Sequence, residues 1–228
     1  MAETSRTDTL IPTPHIPECA QEFSARIHGL LDGQPKDEAT VADALMGMDE
    51  LVDHIAAALY TVASMLVGEG EESIRLVEQA IANTEVSDSR DPLEGRRSSR
   101  RALCAAALDV LSRRDPKSLA PPEGLQPANS CIGEDDLDAA GVSHDDLESM
   151  IAGPDRDRVR TWLESLPTTT RTVFVLRAVA GLTTPEAIAL LKAHGGPRAA
   201  DWTPEALREL FRQGLCSLAS HVLQEAHS

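Results

Sequence analysis

The groups in this chain able to do covalent, metal or proton-transfer chemistry are few and scattered. Four cysteines stand at positions 19, 104, 131 and 216. No two form a Cys-x-x-Cys pair, and no histidine lies at metal-ligand spacing from any of them. Cys104 and Cys216 fall within apolar helical runs, where a thiol behaves as a small buried hydrophobe. The cysteines are therefore expected to be reduced and unpaired. His54, His144, His194 and His221 have carboxylates nearby, and His144 directly precedes Asp145 and Asp146. A general base needs a nucleophile, a phosphate-cradling glycine loop or a metal set to work with, and none accompanies these histidines. The expectation is solvated histidines, no catalytic residue, no metal, no cofactor and no enzymatic activity.

Charge offers more. Arg96, Arg97, Arg100 and Arg101 precede an apolar run of Leu103, Ala106, Ala107, Val110 and Leu111, and Arg113, Arg114 and Lys117 follow it. Across 93–117 these cations face only Glu94, Asp109 and Asp115. Two readings stand. The cations solvate a helix, those at its C-terminal end complementing the dipole, or they form a surface for an anionic partner. The segment Glu134 to Asp157 is the opposite, with Arg156 the one cation among Glu134, Asp135, Asp136, Asp138, Asp145, Asp146, Glu148, Asp155 and Asp157. Such a run reads as a solvated tether. Leu137, Val142, Leu147, Met150 and Ile151 also allow a short amphipathic helix there, or a fold-back onto a basic surface of the same chain.

The elements that must carry these groups are helices. The chain has 228 residues, 42% hydrophobic and 25% charged, which is a globular balance. Aromatics make up 3%, so cores fall to Leu, Val, Ile and Ala. Apolar residues recur every three to four positions from Val41 through Leu66, again at Ile74, Val77 and Ile81, and in four runs from Val159 onward. A lead-in with Pro12, Pro14 and Pro17 precedes a short helix over 19–31. Ser87 to Pro92 reads as a polar loop, and Pro116, Pro121, Pro122 and Pro127 break helices. Thr203 is placed to cap the last helix, with Pro204 at its first position. The fold class is all-α. No apolar run is long enough to cross a membrane and no secretory signal opens the chain, so a cytoplasmic location is expected. The net charge of −16 opposes a freestanding nucleic-acid binder, because phosphates repel a surplus of carboxylates unless cations are segregated.

The C-terminal order carries a resemblance. It reads Leu166-Pro167, Arg171, Val173-Phe174, Leu176-Arg177, Gly181-Leu182-Thr183, Ala187-Ile188-Ala189, then Thr203-Pro204-Glu205-Ala206-Leu207-Arg208. In register, this resembles the C-terminal domain of ECF-type sigma factors of the sigma-70 family. More weakly, Leu51 to Val67, the run Arg75 to Ile81, and the set Ala105, Asp109, Arg113 and Arg114 resemble that family's polymerase-binding domain. The resemblance covers about 50–115 and 158–222.

The expected organisation is an N-terminal extension over 1–37, outside the resemblance, and a sigma-like polymerase-binding helical domain over 38–115. An acidic linker over 116–154 would then lead to a four-helix unit ending in a helix-turn-helix over 155–228. The resemblance implies that Ile74, Val77, Glu78 and Ile81 meet core RNA polymerase. Arg96, Arg97, Arg100, Arg101, Arg113 and Arg114 would contact the downstream promoter element, and Arg208 and Arg212 the upstream one. The implied partners are core polymerase, promoter DNA and an anti-sigma or other regulatory protein.

The departures from the family pattern bear on DNA. Melting a promoter uses aromatic faces for base stacking, yet Leu103, Cys104 and Ala106 stand at those positions and no aromatic lies between Tyr60 and Trp162. In the recognition helix only Arg208 and Arg212 are cationic. Glu209 is expected to face phosphate, and Cys216 and Ser217 replace arginines. The turn before that helix is enlarged by Lys192 to Trp202, which alters how the helix is presented to a groove. DNA contact is thus expected to be weak or lost. Two functions follow: an initiation factor, or a sigma-like regulator that binds polymerase or an anti-sigma protein without reading promoter DNA.

Overall fold

The computed structural model describes residues 55–83, 92–125 and 131–225. The N-terminal extension, the helix expected over 19–31, the stripe from Val41 to Val52, His54, Cys19, the loop over 87–91 and Pro127 lie outside the described residues. Among the described residues every regular element is helical, as a core short of aromatics favours.

Helix α1, residues 55–67, buries Leu59, Val62 and Leu66. It stops at Gly68, whose φ of +99° few side chains tolerate. The Ser73 hydroxyl then donates to the Gly68 carbonyl, tying the turn to the start of α2, Glu71–Asn83. There Ile74, Leu76, Val77 and Ala80 point inward, while Glu71 and Glu72 sit at the positive end of the dipole. Helix α3, Pro92–Arg114, begins four residues before the arginine cluster. A proline at the first helical position lacks only an N–H that has no partner there, and its ring pre-sets φ. Leu103, Cys104, Ala107, Leu108 and Leu111 form the buried stripe of α3, which packs on α2.

The acidic segment is packed against the helices. Ile132, Leu137, Val142, Leu147 and Ile151 are all buried. A 3-10 turn, Asp138–Ala140, ends at Gly141 with φ +73°. Helix α4, His144–Ala152, opens with a capping box. The Asp146 N–H donates to Ser143 Oγ at 3.1 Å, and the Ser143 N–H donates to Asp146 Oδ2 at 3.1 Å. The Ser143 hydroxyl, which donates to Asp146 Oδ2 at 2.6 Å, and then the Ser143 N–H hold the Asp146 carboxyl below its ordinary range.

Four further helices follow. They are α5, Arg156–Ser165; α6, Thr168–Phe174, continued by a π-helical turn over Val175–Val179; α7, Thr184–His194; and α8, Pro204–Glu225. Helix α7 has a second capping box, in which Glu186 Oε2 accepts from the Thr183 N–H at 2.9 Å and from its hydroxyl at 2.6 Å. At α8 the Ala206 N–H donates to Thr203 Oγ1 at 3.2 Å, the cap expected from sequence. The enlarged connection is folded too. Helix α7 runs on to His194, and Pro197–Asp201 makes a 3-10 turn that tucks Trp202 into the interior.

Aromatics bind α5, α6 and α8 together. Trp162 meets Phe174 edge-on at 5.1 Å between centroids, and Phe174 meets Phe211 at 5.9 Å. Gly214 permits this approach, for a Cβ there would sit 3.0 Å from Phe174 Cδ2.

The described residues cluster as one compact unit. Helix α3 lies against α7, and specific bonds join the early helices to the late ones. The Trp202 indole N–H donates to the buried Leu119 carbonyl at 2.9 Å. Thr169 Oγ1 donates to the Ser118 carbonyl at 2.7 Å. Glu69 pairs with Arg156 at 3.1 Å and with Arg160 at 2.8 Å.

Candidate functional site

The residues implied to meet polymerase divide by exposure. Ile74 and Val77 belong to the core between α2 and α3, and Glu78 and Ile81 are half-exposed. A partner docking on this helix touches the second pair.

The arginines of α3 spread around the helix. Arg96 and Arg100 line a cleft of about 440 Å³ between α1, α3 and α4, opposite His144 and Glu148. Arg97 reaches across to Glu186 of α7 at 3.4 Å. Arg101 and Arg113 are exposed. Arg114 pairs with Glu72 and donates to the Val67 carbonyl at 2.9 Å. These six do not make one surface.

A tighter cationic cluster lies where α6 ends and α8 begins. The Arg177 guanidinium sits over the Phe211 ring, 5.1 Å from its centroid, and donates to the Leu182 carbonyl at 2.8 Å. Burial is the main influence on its pKa and pushes it down, while Asp135 and Asp136 pull it up. Arg208, exposed, lies near Arg177, and Arg212, half-buried, follows one helical turn along α8.

The acidic segment occupies this cluster. Asp135 Oδ2 lies 3.8 Å from Arg177 Nη2 and 3.8 Å from Arg208 Nε. Arg212 Nη1 donates to the Gly133 carbonyl at 3.3 Å. Two residues before Gly133, Cys131 is bonded to Cys216 of α8, with the Cα atoms 5.8 Å apart, an ordinary span for such a bridge. This corrects the expectation of unpaired thiols at 131 and 216. Among the described residues Cys104 keeps that role: it is buried and free, and burial pushes its thiol up to about 12.

Glu209 is also corrected. The sequence places it toward phosphate, but it is buried and accepts from Arg212 Nη2 at 2.6 Å. It neutralises a cation on its own helix instead of repelling a ligand.

No protein family, curated protein or solved structure matches the chain.

Two of the described histidines, expected to be solvated, are half-buried in contacts with other helices. His194 Nδ1 lies 3.1 Å from Asp109 Oδ1, linking α7 to α3. His221 stacks on Trp162 at 6.0 Å, and His144 is exposed at the start of α4. Among the described residues no group of three His, Cys, Asp or Glu is placed to hold a metal ion, and no helix is long and apolar enough to cross a membrane. Sequence reasoning missed three members of the cluster: Arg177, Asp135 and the Cys131 bridge. Arg177 had a signal, the Leu176-Arg177 pair of the resemblance. The other two depend on contacts across long stretches of chain, which no local pattern encodes.

Proposed function

We propose that this chain is a sigma-like transcription factor that binds core RNA polymerase and offers α7 and α8 to promoter DNA as a helix-turn-helix. One observation carries the reading. Consecutive helices pack together, and the first turns of the second present Arg208 and Arg212 beside Arg177 on a face that takes carboxylates. A face complementary to closely spaced anions suits a phosphate backbone. The C-terminal motif order supports the same reading. Glu78 and Ile81 of α2 would meet polymerase, and the exposed Arg101 and Arg113 would contact downstream DNA.

The experiment is a salt series of binding to core polymerase and to duplex DNA separately, followed by transcription with the reconstituted complex. Promoter-dependent transcripts are expected. Their absence from every genomic fragment tested, with polymerase binding intact, would turn the assignment to the second reading: a regulator that docks on polymerase or an anti-sigma protein without reading DNA. A specific observation favours that alternative, since Arg212 and Arg208 are both engaged by groups of their own chain.

A further inference from the structure

The segment 131–138 lies on α8 like a strap, and three kinds of contact hold it. Cys131 fixes one end covalently to Cys216. Ile132 and Leu137 are buried beneath it. Asp135 and the Gly133 carbonyl engage Arg177, Arg208 and Arg212. Asp135 thus bridges two guanidinium groups and the Gly133 carbonyl meets the third, with Glu134 and Asp136 exposed on either side. An anionic oxygen held between neighbouring arginines is the arrangement a backbone phosphate would take.

We infer that the strap is an internal polyanion mimic covering the Arg177–Arg208–Arg212 surface, and that reduction of the Cys131–Cys216 bridge uncovers this surface for nucleic acid. The inference rests on the reading of α8 as a DNA-facing helix. Partly exposed ion pairs contribute at most about 1 kcal/mol each, so on their own they yield to a competing polyanion. The bridge changes this by holding the carboxylates at a high effective concentration beside the arginines. Cleaving it frees one end of the strap and leaves the weak pairs to compete alone.

The chemistry balances with a dithiol reductant. Cys131 is exposed and Cys216 partly so. A thiolate of the reductant attacks Cys131 Sγ, and Cys216 leaves as a thiolate and takes up a proton. The reductant's second thiol then closes on its own sulfur of the mixed disulfide, releasing Cys131 and completing a transfer of two electrons and two protons. Cys131 and Cys216 end as thiols, and the reductant ends as its disulfide.

The test compares the full chain oxidised, reduced with dithiothreitol, as Cys131→Ser, and as Asp135→Asn with the bridge intact. Hydrogen exchange over 131–138 reports the strap. Titration with mixed-sequence duplex DNA over a salt series reports the surface. Reduction and Cys131→Ser should speed exchange in the strap, tighten DNA binding at least tenfold at low salt, and steepen the log–log salt slope by about 2, as the two cations freed from Asp135, Arg177 and Arg208, require. Asp135→Asn should tighten binding by a smaller factor without reductant, which separates uncovering from any loss of stability. Unchanged exchange and affinity on reduction would overturn the inference, as would a freed strap with no gain in DNA binding. The two proposals fail differently. Redox-dependent DNA binding without any promoter-dependent transcript removes the initiation reading and keeps the strap. Equal transcription in both redox states keeps the initiation reading and removes the strap.

Discussion

Trp202 shows how much one side chain settles. It is among the largest fully buried residues, and its indole N–H satisfies the Leu119 carbonyl. Trp202→Phe should cost about 1–3 kcal/mol, because that carbonyl is left buried without a donor. Trp202→Ala should cost about 3–5 kcal/mol from the cavity, and urea denaturation reads both. Cys104 gives a different test. Its thiol, pushed up to about 12 by burial, should resist iodoacetamide at pH 8 while the protein is folded and react once it is unfolded, as peptide mass mapping would show. Glu186 gives a pH test. Hydrogen bonds from Thr183 hold its carboxyl below the ordinary 4.5. The stabilisation is present above pH 4.5 and is lost as pH falls from there through the lower folded value. The stability gap between wild type and Glu186→Gln should therefore be full at pH 6 and narrow steadily below pH 4.5 in denaturant titrations. At this scale Arg208 and Arg212 were named through the resemblance, as the cations left in its recognition helix. Asp135 was not, since its partners lie far along the chain and an acidic residue in an acidic run carries no mark of which cation it meets.

Among the elements, α8 depends most on a missing side chain. Gly214 lets α8 approach the Phe174 ring, and a Cβ at 3.0 Å is already tight. Gly214→Val adds two further carbons and should destabilise by about 1–3 kcal/mol or more through overpacking, seen as a lower urea midpoint with the slope unchanged. Helix content and buried stripes were legible, because Leu59, Val62, Leu66, Ile74 and Val77 follow the 3.6-residue period. The start of α3 was less so, since Ser87 to Pro92 reads as loop and Pro92 opens a helix as readily as it ends one. The enlarged connection before α8 was visible as an insertion, but its role was not. Its 3-10 turn exists to bury Trp202, and the carbonyl that receives the indole belongs to Leu119.

Across the whole molecule, the packing of α3 on α7 and a few specific bonds join early helices to late ones, and one covalent bridge ties the acidic segment to α8. The bridge closes a sequence separation of 85 residues. Restricting the unfolded chain over such a loop stabilises by at most about 4–5 kcal/mol, and typical values are about 2–4 kcal/mol. Reduction should lower the unfolding free energy by the smaller amount while leaving the far-ultraviolet circular dichroism of a helical protein. The packing of α3 on α7 was not legible. A seam between two separately patterned helical runs leaves no periodic signature in either, and its polar contacts, such as Asp109 with His194, look like ordinary surface residues in the sequence.

That seam has a practical consequence. The chain has two tryptophans, and they sit in different places: Trp162 among the rings of α5, α6 and α8, Trp202 at the junction with Leu119. Prising α3 from α7 would wet the second indole and leave the first dry. The protein therefore carries its own fluorescent gauge, in which a red shift of half the emission, abolished by Trp202→Phe, would register a partner parting the two halves without any label being attached.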